Sequence, residues 1–206
     1  MRSPVLSLLL AALPSVAFAG NIPVQGTLFS GGTWDSSNTY TLTGDVTVPS
    51  GQTLTIGAGT QITAATTDGM ASGTNTSKVE LIVQGTLVVN GTTASPVIFN
   101  CANSTAGCWV GIELSNSGST INGATISAAS TGLSASAGVS LTHSTVTGDS
   151  TGVSISGGTA TLSYDSIYAN VNGIAGSGGT LNVDHSLITG NTSYGVSLSG
   201  STGLLS

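Results

Sequence analysis

The chain has 206 residues, of which 39% are apolar and 5% are charged, with two basic residues against eight acidic ones and a net charge of −6. This balance argues against nucleic-acid binding and against a polybasic membrane patch, because both need clustered Lys and Arg. The positive mean hydropathy argues against disorder. The composition therefore favours a globular or fibrous fold with a nearly uncharged, hydroxyl-rich surface.

Residues 1–19 are predicted to be a secretory signal peptide. Arg2 supplies the positive start, Val5 to Leu13 form an apolar stretch, and Ala17-Phe18-Ala19 has the small-x-small pattern of a cleavage site. The apolar stretch is shorter than the ~20 residues of a membrane-spanning helix. We therefore expect a secreted or cell-surface protein with no membrane insertion after cleavage.

Residues 20–44, with Trp34 and Tyr40, are expected to cap the domain that follows, because the first turn of a repeat fold must hide its apolar side chains. Short alternating stretches separated by Gly and Asn then predict strands between residues 45 and 99. The polar, Thr- and Gly-rich segment 64–78 predicts a protruding loop among them.

Cys101 and Cys108 are the only cysteines. In an oxidising compartment they would close a short loop. A zinc site would need two further ligands, and no histidine lies near them in the sequence. We predict a disulfide, with two free thiols as the alternative, and we predict neither a metal site nor a cofactor.

From residue 111 onward the sequence repeats with a period of 20–22 residues. Glycine followed by an aliphatic residue recurs at 111, 132, 152, 173 and 195, and a second register recurs at 121, 141, 162 and 183. The repeats alternate with period two and lack both helical periodicity and a leucine-rich consensus. Short strands joined by Gly, Asn, Asp and Ser turns predict the coils of a parallel β-helix over residues 45–206.

Equivalent residues of successive coils are predicted to stack at the ~4.8 Å strand spacing. Three ladders are aliphatic: Ile112, Leu133, Val153, Ile174 and Val196; Ile121, Leu141, Leu162 and Val183; Ile126, Val146, Ile167 and Ile188. A fourth ladder, of Asp149, Asn170 and Asn191, with Ala129 in the first coil, has the composition of a hydrogen-bonded asparagine turn.

The sequence stops at Leu204-Leu205-Ser206 without a capping element. An open coil end exposes strand edges. Two expectations follow: the solenoid is a fragment of a longer one, or two molecules associate end to end.

Several segments are similar to the N-terminal part of bacterial secreted right-handed parallel β-helix repeat proteins of the pectin-lyase-like superfamily. They are the run from Thr33-Trp34 to Gly57-Ala-Gly-Thr60, Gly85-Thr-Leu-Val-Val-Asn-Gly-Thr92, Pro96-Val-Ile-Phe99 and Trp109-Val-Gly-Ile112. This resemblance covers most of the chain after the leader. It implies an all-β, single-stranded right-handed parallel β-helix, but it does not imply one activity, because the fold hosts lyases, glycosidases, adhesins and phage tailspikes.

The resemblance also indicates which catalytic groups to expect. Its lyases use Arg or Lys as a base and hold calcium with clustered Asp, and its glycosidases carry Asn-Thr-Asp and Asp-Asp motifs. After the leader the chain has no Arg and none of these motifs, and Lys78 lies outside the regular repeats. Asp165 and Asp184, on neighbouring coils, are the remaining catalytic candidates, since a two-carboxylate mechanism needs carboxyl groups ~5–9.5 Å apart. The alternative for Asp165 is a side chain that bonds turn amides.

His143, Tyr164 and His185 share one ladder position, which Gly123 occupies in the preceding coil. If they point outward, they form a stripe that would bind a ligand, either by sugar stacking or through a metal. Two His on alternate coils are ~9.6 Å apart and cannot share one ion without another ligand. Ordinary solvent-facing turn residues remain the alternative.

Our leading hypothesis is an exported, non-catalytic β-solenoid that acts as a structural or adhesin-like module and contacts neutral polysaccharides or surface proteins with its lateral face. A carbohydrate-active enzyme is the main alternative. Ice binding is a minor one, because the Thr145-x-Thr147 pattern becomes Thr125-x-Ser127, Ser166-x-Tyr168 and Leu187-x-Thr189 on other coils, and the array is broken.

Overall fold

A computed structural model describes residues 20–206, so the predicted signal peptide lies outside the described residues. Within this range the chain forms strands and turns but no helix, and hence no helix suited to crossing a bilayer. The strands are β1 Gly20–Thr27, β2 Gly32–Trp34, β3 Asn38–Val48, β4 Thr53–Gly57, β5 Gln61–Ala64, β6 Glu80–Val83, β7 Thr86–Asn90, β8 Val97–Cys101, β9 Trp109–Leu114, β10 Ser119–Asn122, β11 Ala124–Ser127, β12 Ala129–Ala135, β13 Val139–Thr142, β14 Thr145–Thr147, β15 Thr151–Ile155, β16 Thr159–Ser163, β17 Ser166–Tyr168, β18 Asn172–Gly176, β19 Thr180–Asp184, β20 Leu187–Thr189, β21 Tyr194–Leu198 and β22 Thr202–Leu205.

The strands form two parallel sheets wound into one solenoid, which confirms the predicted all-β fold. Sheet B contains eight strands in the order β2-β4-β7-β10-β13-β16-β19-β22. Sheet A contains fourteen strands in two rows that meet at β3: row 1 is β5-β8-β11-β14-β17-β20, and row 2 is β6-β9-β12-β15-β18-β21. Each coil runs through sheet B, row 1 and row 2 in turn. We number the coils by their sheet B strands, so that β4 begins coil 2 and β19 begins coil 7.

The first residues of the described chain are built from the same parallel strands. β1 pairs with β3, and β2 pairs with β4. The segment predicted as a cap, residues 20–44, therefore extends both sheets, and its predicted boundary falls inside β3. The rings of Trp34 and Tyr40 stack with centroids 4.7 Å apart, and both are buried. This pair closes the apolar interior near the N-terminal end.

The three predicted aliphatic ladders are confirmed by the strand register. Leu133 pairs with Ile112 on one side and with Val153 on the other, and the series continues to Ile174 and Val196. The ladders that start at Ile121 and Ile126 are likewise continuous. Their side chains fill the interior and are fully buried in all but the last coil.

The asparagine turn between rows 1 and 2 is also confirmed. The Oδ1 atom of Asn191 accepts the Asn170 N–H at 3.1 Å, and that of Asn170 accepts the Asp149 N–H at 2.9 Å. A Cβ atom on Gly152 would lie 2.9 Å from the Asn170 Nδ2 atom and 2.8 Å from the Gly173 carbonyl oxygen. Gly132 and Gly173 are crowded in the same way, by Asp149 and Asn191, so the turn requires glycine at these three repeat positions.

In coils 2 and 3 the same corner carries longer loops. Residues 65–79 form the predicted loop after β5, and carboxylates hold it: Asp45 accepts the Ser72 hydroxyl at 2.7 Å, and Glu80 accepts the Thr74 N–H at 2.9 Å. After β8, Cys101 and Cys108 form the predicted disulfide, with Cα atoms 6.1 Å apart. Both excursions leave the strand ladders intact.

Replacing Ile167 by Asp should prevent folding. The side chain lies between Val146 and Ile188 in the interior, where an unpaired charge costs several kcal/mol, against a total stability of ~5–15 kcal/mol for a typical domain. Ser166→Asp is the matched control, because Ser166 is half-buried on the outer side of the same strand. Soluble yield and thermal unfolding measure the difference; normal yield and melting of Ile167→Asp would contradict the ladder assignment.

Candidate binding surface

The outer face of sheet B carries mainly hydroxyl and amide side chains, with a single acidic residue among its strands. Within this sheet, period-two alternation sends the aliphatic side chains inward and the polar ones outward. The central outward ladder consists of Thr33, Thr55, Val88, Thr120, Ser140, Thr161 and Asn182, and it ends at the exposed Leu204 of β22. A parallel ladder beside it consists of Asn90, Asn122, Thr142, Ser163 and Asp184. Asp184 is the only charged residue in the strands of sheet B.

Other acidic side chains gather on sheet A and its loops. Burial raises the pKa of the Asp45 carboxyl. Burial also raises the pKa of Glu113, and the carboxylates of Glu80 and Asp45 contribute further. Lys78 lies at the same corner, where its Nζ atom donates to the Ser130 hydroxyl at 3.3 Å. Charge is thus concentrated away from the face of sheet B.

His143, Tyr164 and His185 lie on one outward ladder at the turn from sheet B to row 1; we call them the corner stripe. Their rings are exposed and stack on one another, with centroid distances of 5.1 Å for both neighbouring pairs and interplanar angles of 8° and 22°. The backbone hydrogen bonds repeat as well. The N–H groups of these three residues donate to carbonyls of the following coil, namely those of Ser163, Asp184 and Ser206. The structure therefore brings together the three residues predicted as a stripe.

This stacking determines what the corner stripe can offer a ligand. Both faces of the Tyr164 ring are covered, one by His143 and one by His185. A sugar therefore cannot stack on Tyr164, and the stacked rings present their edges outward. These edges supply the phenol hydroxyl and imidazole nitrogens as hydrogen-bonding groups. The two imidazoles are separated by the Tyr164 ring, so they cannot ligate one metal ion together.

The corner stripe holds its backbone in the left-handed region. The φ angles of His143, Tyr164 and His185 are 49°, 58° and 47°, and Gly123 occupies the equivalent position with φ 60°. A residue with a side chain pays ~1–2 kcal/mol there, which glycine does not. Such residues persist where the surroundings hold them in place, and they cluster at functional sites. Ring stacking provides part of this stabilisation.

The two catalytic candidates lie on different sides of the solenoid wall. Asp165 is buried, its Oδ1 atom accepts the Ser144 N–H at 2.8 Å, and burial raises its pKa to about 7. Asp184 lies on the outer surface, where its Oδ1 atom is 3.0 Å from the Ser206 hydroxyl and 2.6 Å from the His185 Nδ1 atom; these bonds lower its pKa. The pair does not flank a common space that a glycosidic bond could enter.

Residues 20–206 form no pocket, and in this part of the chain no three His, Cys, Asp or Glu side chains are grouped to hold a metal ion.

The polar array considered in the sequence analysis lies on row 1. There Thr125 and Ser127 pair with Thr145 and Thr147, and Tyr168 and Leu187 interrupt the pattern as expected. The face of sheet B was missed, although Thr53-x-Thr55 and Thr159-x-Thr161 carry the same alternating signal.

At position 164 we expect glycine to give a more stable protein than alanine, which is the reverse of the usual order of stability. Tyr164→Ala loses both stacking contacts, each ~0.5–1.5 kcal/mol, and keeps the unfavourable φ. Tyr164→Gly loses the same contacts but relieves the backbone, so it should be the more stable variant by ~1 kcal/mol. Urea unfolding of both variants measures this. A Tyr164→Ala protein as stable as Tyr164→Gly would show that the left-handed backbone is not strained.

Comparison with known proteins was made at the level of families, curated proteins and solved structures. A family model described as a pectate-lyase like beta helix domain matches residues 26–152, which is more than half of the chain. The match runs from β1 to β15 and includes His143 and the disulfide. No curated protein and no solved structure matches significantly. The parallel solenoid and this match agree, and the chain belongs to the pectate-lyase-like β-helix domain family.

Proposed function

We propose that the protein is an exported, non-catalytic β-solenoid that binds neutral glycans through the outer face of sheet B, as a structural or adhesin-like module. The observation that carries this proposal is the uncharged, mainly hydroxyl and amide ladder that runs from Thr33 to Asn182. From Thr33 to Asn182 it repeats a hydroxyl or amide group on six of seven successive coils, with Val88 on the third.

The chemistry of this face suits neutral polysaccharides. Thr and Ser hydroxyls donate and accept hydrogen bonds, and Asn adds a separate donor and acceptor. Sugar hydroxyls have the same dual character, and no ion needs to be desolvated when they meet. An acidic polysaccharide would instead approach a chain with a net charge of −6, which disfavours association.

Affinity would come from repetition rather than from a single cleft. One hydroxyl contact contributes ~0.5–1.5 kcal/mol at most. A polymer that engages several coils makes its later contacts intramolecularly, so that weak contacts add up to useful avidity. The corner stripe borders this face and adds ring-edge hydrogen bonds from Tyr164 and the imidazoles.

Binding should depend on sheet B and not on row 1. Insoluble neutral polysaccharides such as cellulose, chitin and mannan would be used in pull-down assays, together with a glycan array. We expect the double variant Thr120→Glu/Thr161→Glu to lose at least ~10-fold in apparent affinity, because each carboxylate must be desolvated at the interface. The matched control is Thr125→Glu/Thr145→Glu on the outer side of row 1. Equal losses in both variants would refute the choice of face, and an absence of binding to every neutral glycan would refute the proposal.

Carbohydrate-active catalysis is the rival function, because lyases and hydrolases occur in this superfamily. We expect no oligosaccharide release from a panel of neutral and acidic polysaccharides. Release that disappears in Asp184→Asn, the exposed candidate, or in Asp165→Asn, the buried one, would overturn the non-catalytic proposal. A thermal-hysteresis assay on the same preparation tests ice binding.

A further inference from the structure

Two carboxyl groups lie inside the solenoid without full hydrogen bonding. Asp149 and Asp165 are 1% and 2% exposed. In each, Oδ1 accepts a backbone N–H of the preceding coil, at 2.6 Å from Ala129 and at 2.8 Å from Ser144. In each, the Oδ2 atom is buried and has no hydrogen-bond partner within residues 20–206. Such atoms are rare in folded proteins and call for an explanation.

The neighbours of Asp149 show what its missing partner is. Asn170 and Asn191 occupy the same turn position and use both ends of the amide: Oδ1 accepts an N–H, and Nδ2 donates to the carbonyls of Val146 and Ile167, in each case at 3.1 Å. The register pairs Val146 with Ile126. The equivalent acceptor for Asp149 is therefore the Ile126 carbonyl, and an ionised carboxylate has no hydrogen to donate to it.

Asp165 repeats this situation in a ladder of serines. The Ser144 and Ser186 hydroxyls accept the N–H groups of Ala124 and Asp165 at 3.1 Å. They also donate to the carbonyl two residues earlier, at 2.9 Å to Thr142 and at 3.0 Å to Asp184. The corresponding acceptor for Asp165 is the Ser163 carbonyl. Here, too, the ladder requires a group that both accepts and donates.

A carboxyl group meets this requirement only when it is protonated. We propose that Asp149 and Asp165 are carried as neutral carboxylic acids in the folded solenoid, and that their ionisation at alkaline pH loosens the coils that hold the corner stripe. Asp165 directly follows Tyr164, so the loss of its hydrogen bonds acts on the turn that presents the ring. The solenoid is thereby an acid-stabilised scaffold with a pH-dependent binding edge.

Within residues 20–206, no cation pairs with either carboxyl group. The turns around Asp149 contain Ala129 and Asn170, and the Nζ atom of Lys78 donates to the Ser130 hydroxyl of coil 4. Around Asp165 the titratable groups are Tyr164 and, in the flanking coils, the exposed His143, His185 and Asp184. Burial raises the pKa of Asp149 to about 8 and that of Asp165 to about 7, opposed only by backbone hydrogen bonds.

The direction of the pH dependence follows from these values. Both carboxyl groups have a raised pKa in the folded chain, compared with 3.8 for an ordinary Asp. Between pH 3.8 and about 7 for Asp165, or about 8 for Asp149, the folded state therefore binds more protons than the unfolded state. The stability that they contribute is fully present below pH 3.8 and is lost as the pH rises through about 7 and about 8.

Substitution by the residues of the neighbouring coils tests this inference. Asp149→Asn and Asp165→Ser restore a donor without a charge, and Asp184→Asn removes an exposed acid as the control. Thermal unfolding would be followed from below pH 3.8 to above pH 8. We expect the wild-type Tm to fall by more than ~5 °C as the pH rises from 3.8 to about 8, and to level off above that pH. Asp149→Asn and Asp165→Ser should each show a smaller decrease in Tm, and the double variant should show little decrease. Asp184→Asn should show the same decrease as the wild type.

Infrared spectroscopy of the wild-type protein gives a second measurement that does not depend on the variants folding. At about pH 6 ordinary Asp and Glu side chains, with pKa values near ~4, are ionised. We expect the carbonyl band of a protonated carboxylic acid to be present at this pH and to vanish in the alkaline range. Absence of that band in the folded wild-type protein, or an unchanged pH dependence in a folded double variant, would overturn the inference.

Discussion

Hydrogen bonding between coils is the constraint on which the structure depends. In a parallel solenoid no coil satisfies its own backbone, since every N–H and C=O of a strand is paired with the coil before or after it. The fixed register then places each side chain on its equivalents in the neighbouring coils. A side chain must therefore suit its own position and also pack against the equivalent side chains of the neighbouring coils. The aliphatic ladders, the asparagine turn and the stacked rings of the corner stripe are three examples. The excursions at residues 65–79 and 102–107 are tolerated because they leave the ladder at a corner and return to it in register.

The repeated part of the fold was predictable because residues of the same type recur in the sequence once per coil. Ile112, Leu133 and Val153 recur with one period, so their stacking followed without coordinates, as did the role of Asn170 and Asn191. The first coils were harder to predict, because the sequences of β1 and β2 are not repeated later in the chain. Their pairing with β3 and β4 can be seen only in the three-dimensional structure. The sequence also placed His143, Tyr164 and His185 on one ladder. It could not show that the rings lie face to face, because ring orientation depends on the left-handed turn beneath them.

The same limitation applies to the interior carboxyl groups. A buried small-residue position was predictable for Asp165, but its unpartnered oxygen becomes apparent only beside the bonds that Ser144 and Ser186 make. Charge placement is a similar case: the scarcity of charged residues is visible in the composition, whereas their separation from the face of sheet B required the strand register. In both cases the decisive information is the contact between equivalent positions of neighbouring coils.

The ladder arrangement also bears on how such a chain changes length. Each repeat of about 21 residues carries a full set of contacts to the copy on either side, as the pairing of Ile174 with both Val153 and Val196 illustrates. An in-frame duplication of one unit would insert a coil whose neighbours already suit it, and a deletion would bring together two coils that are chemically alike. Unequal crossing-over at the gene level can thus lengthen or shorten the polar outer face of sheet B in single-coil steps while the cross-section stays constant.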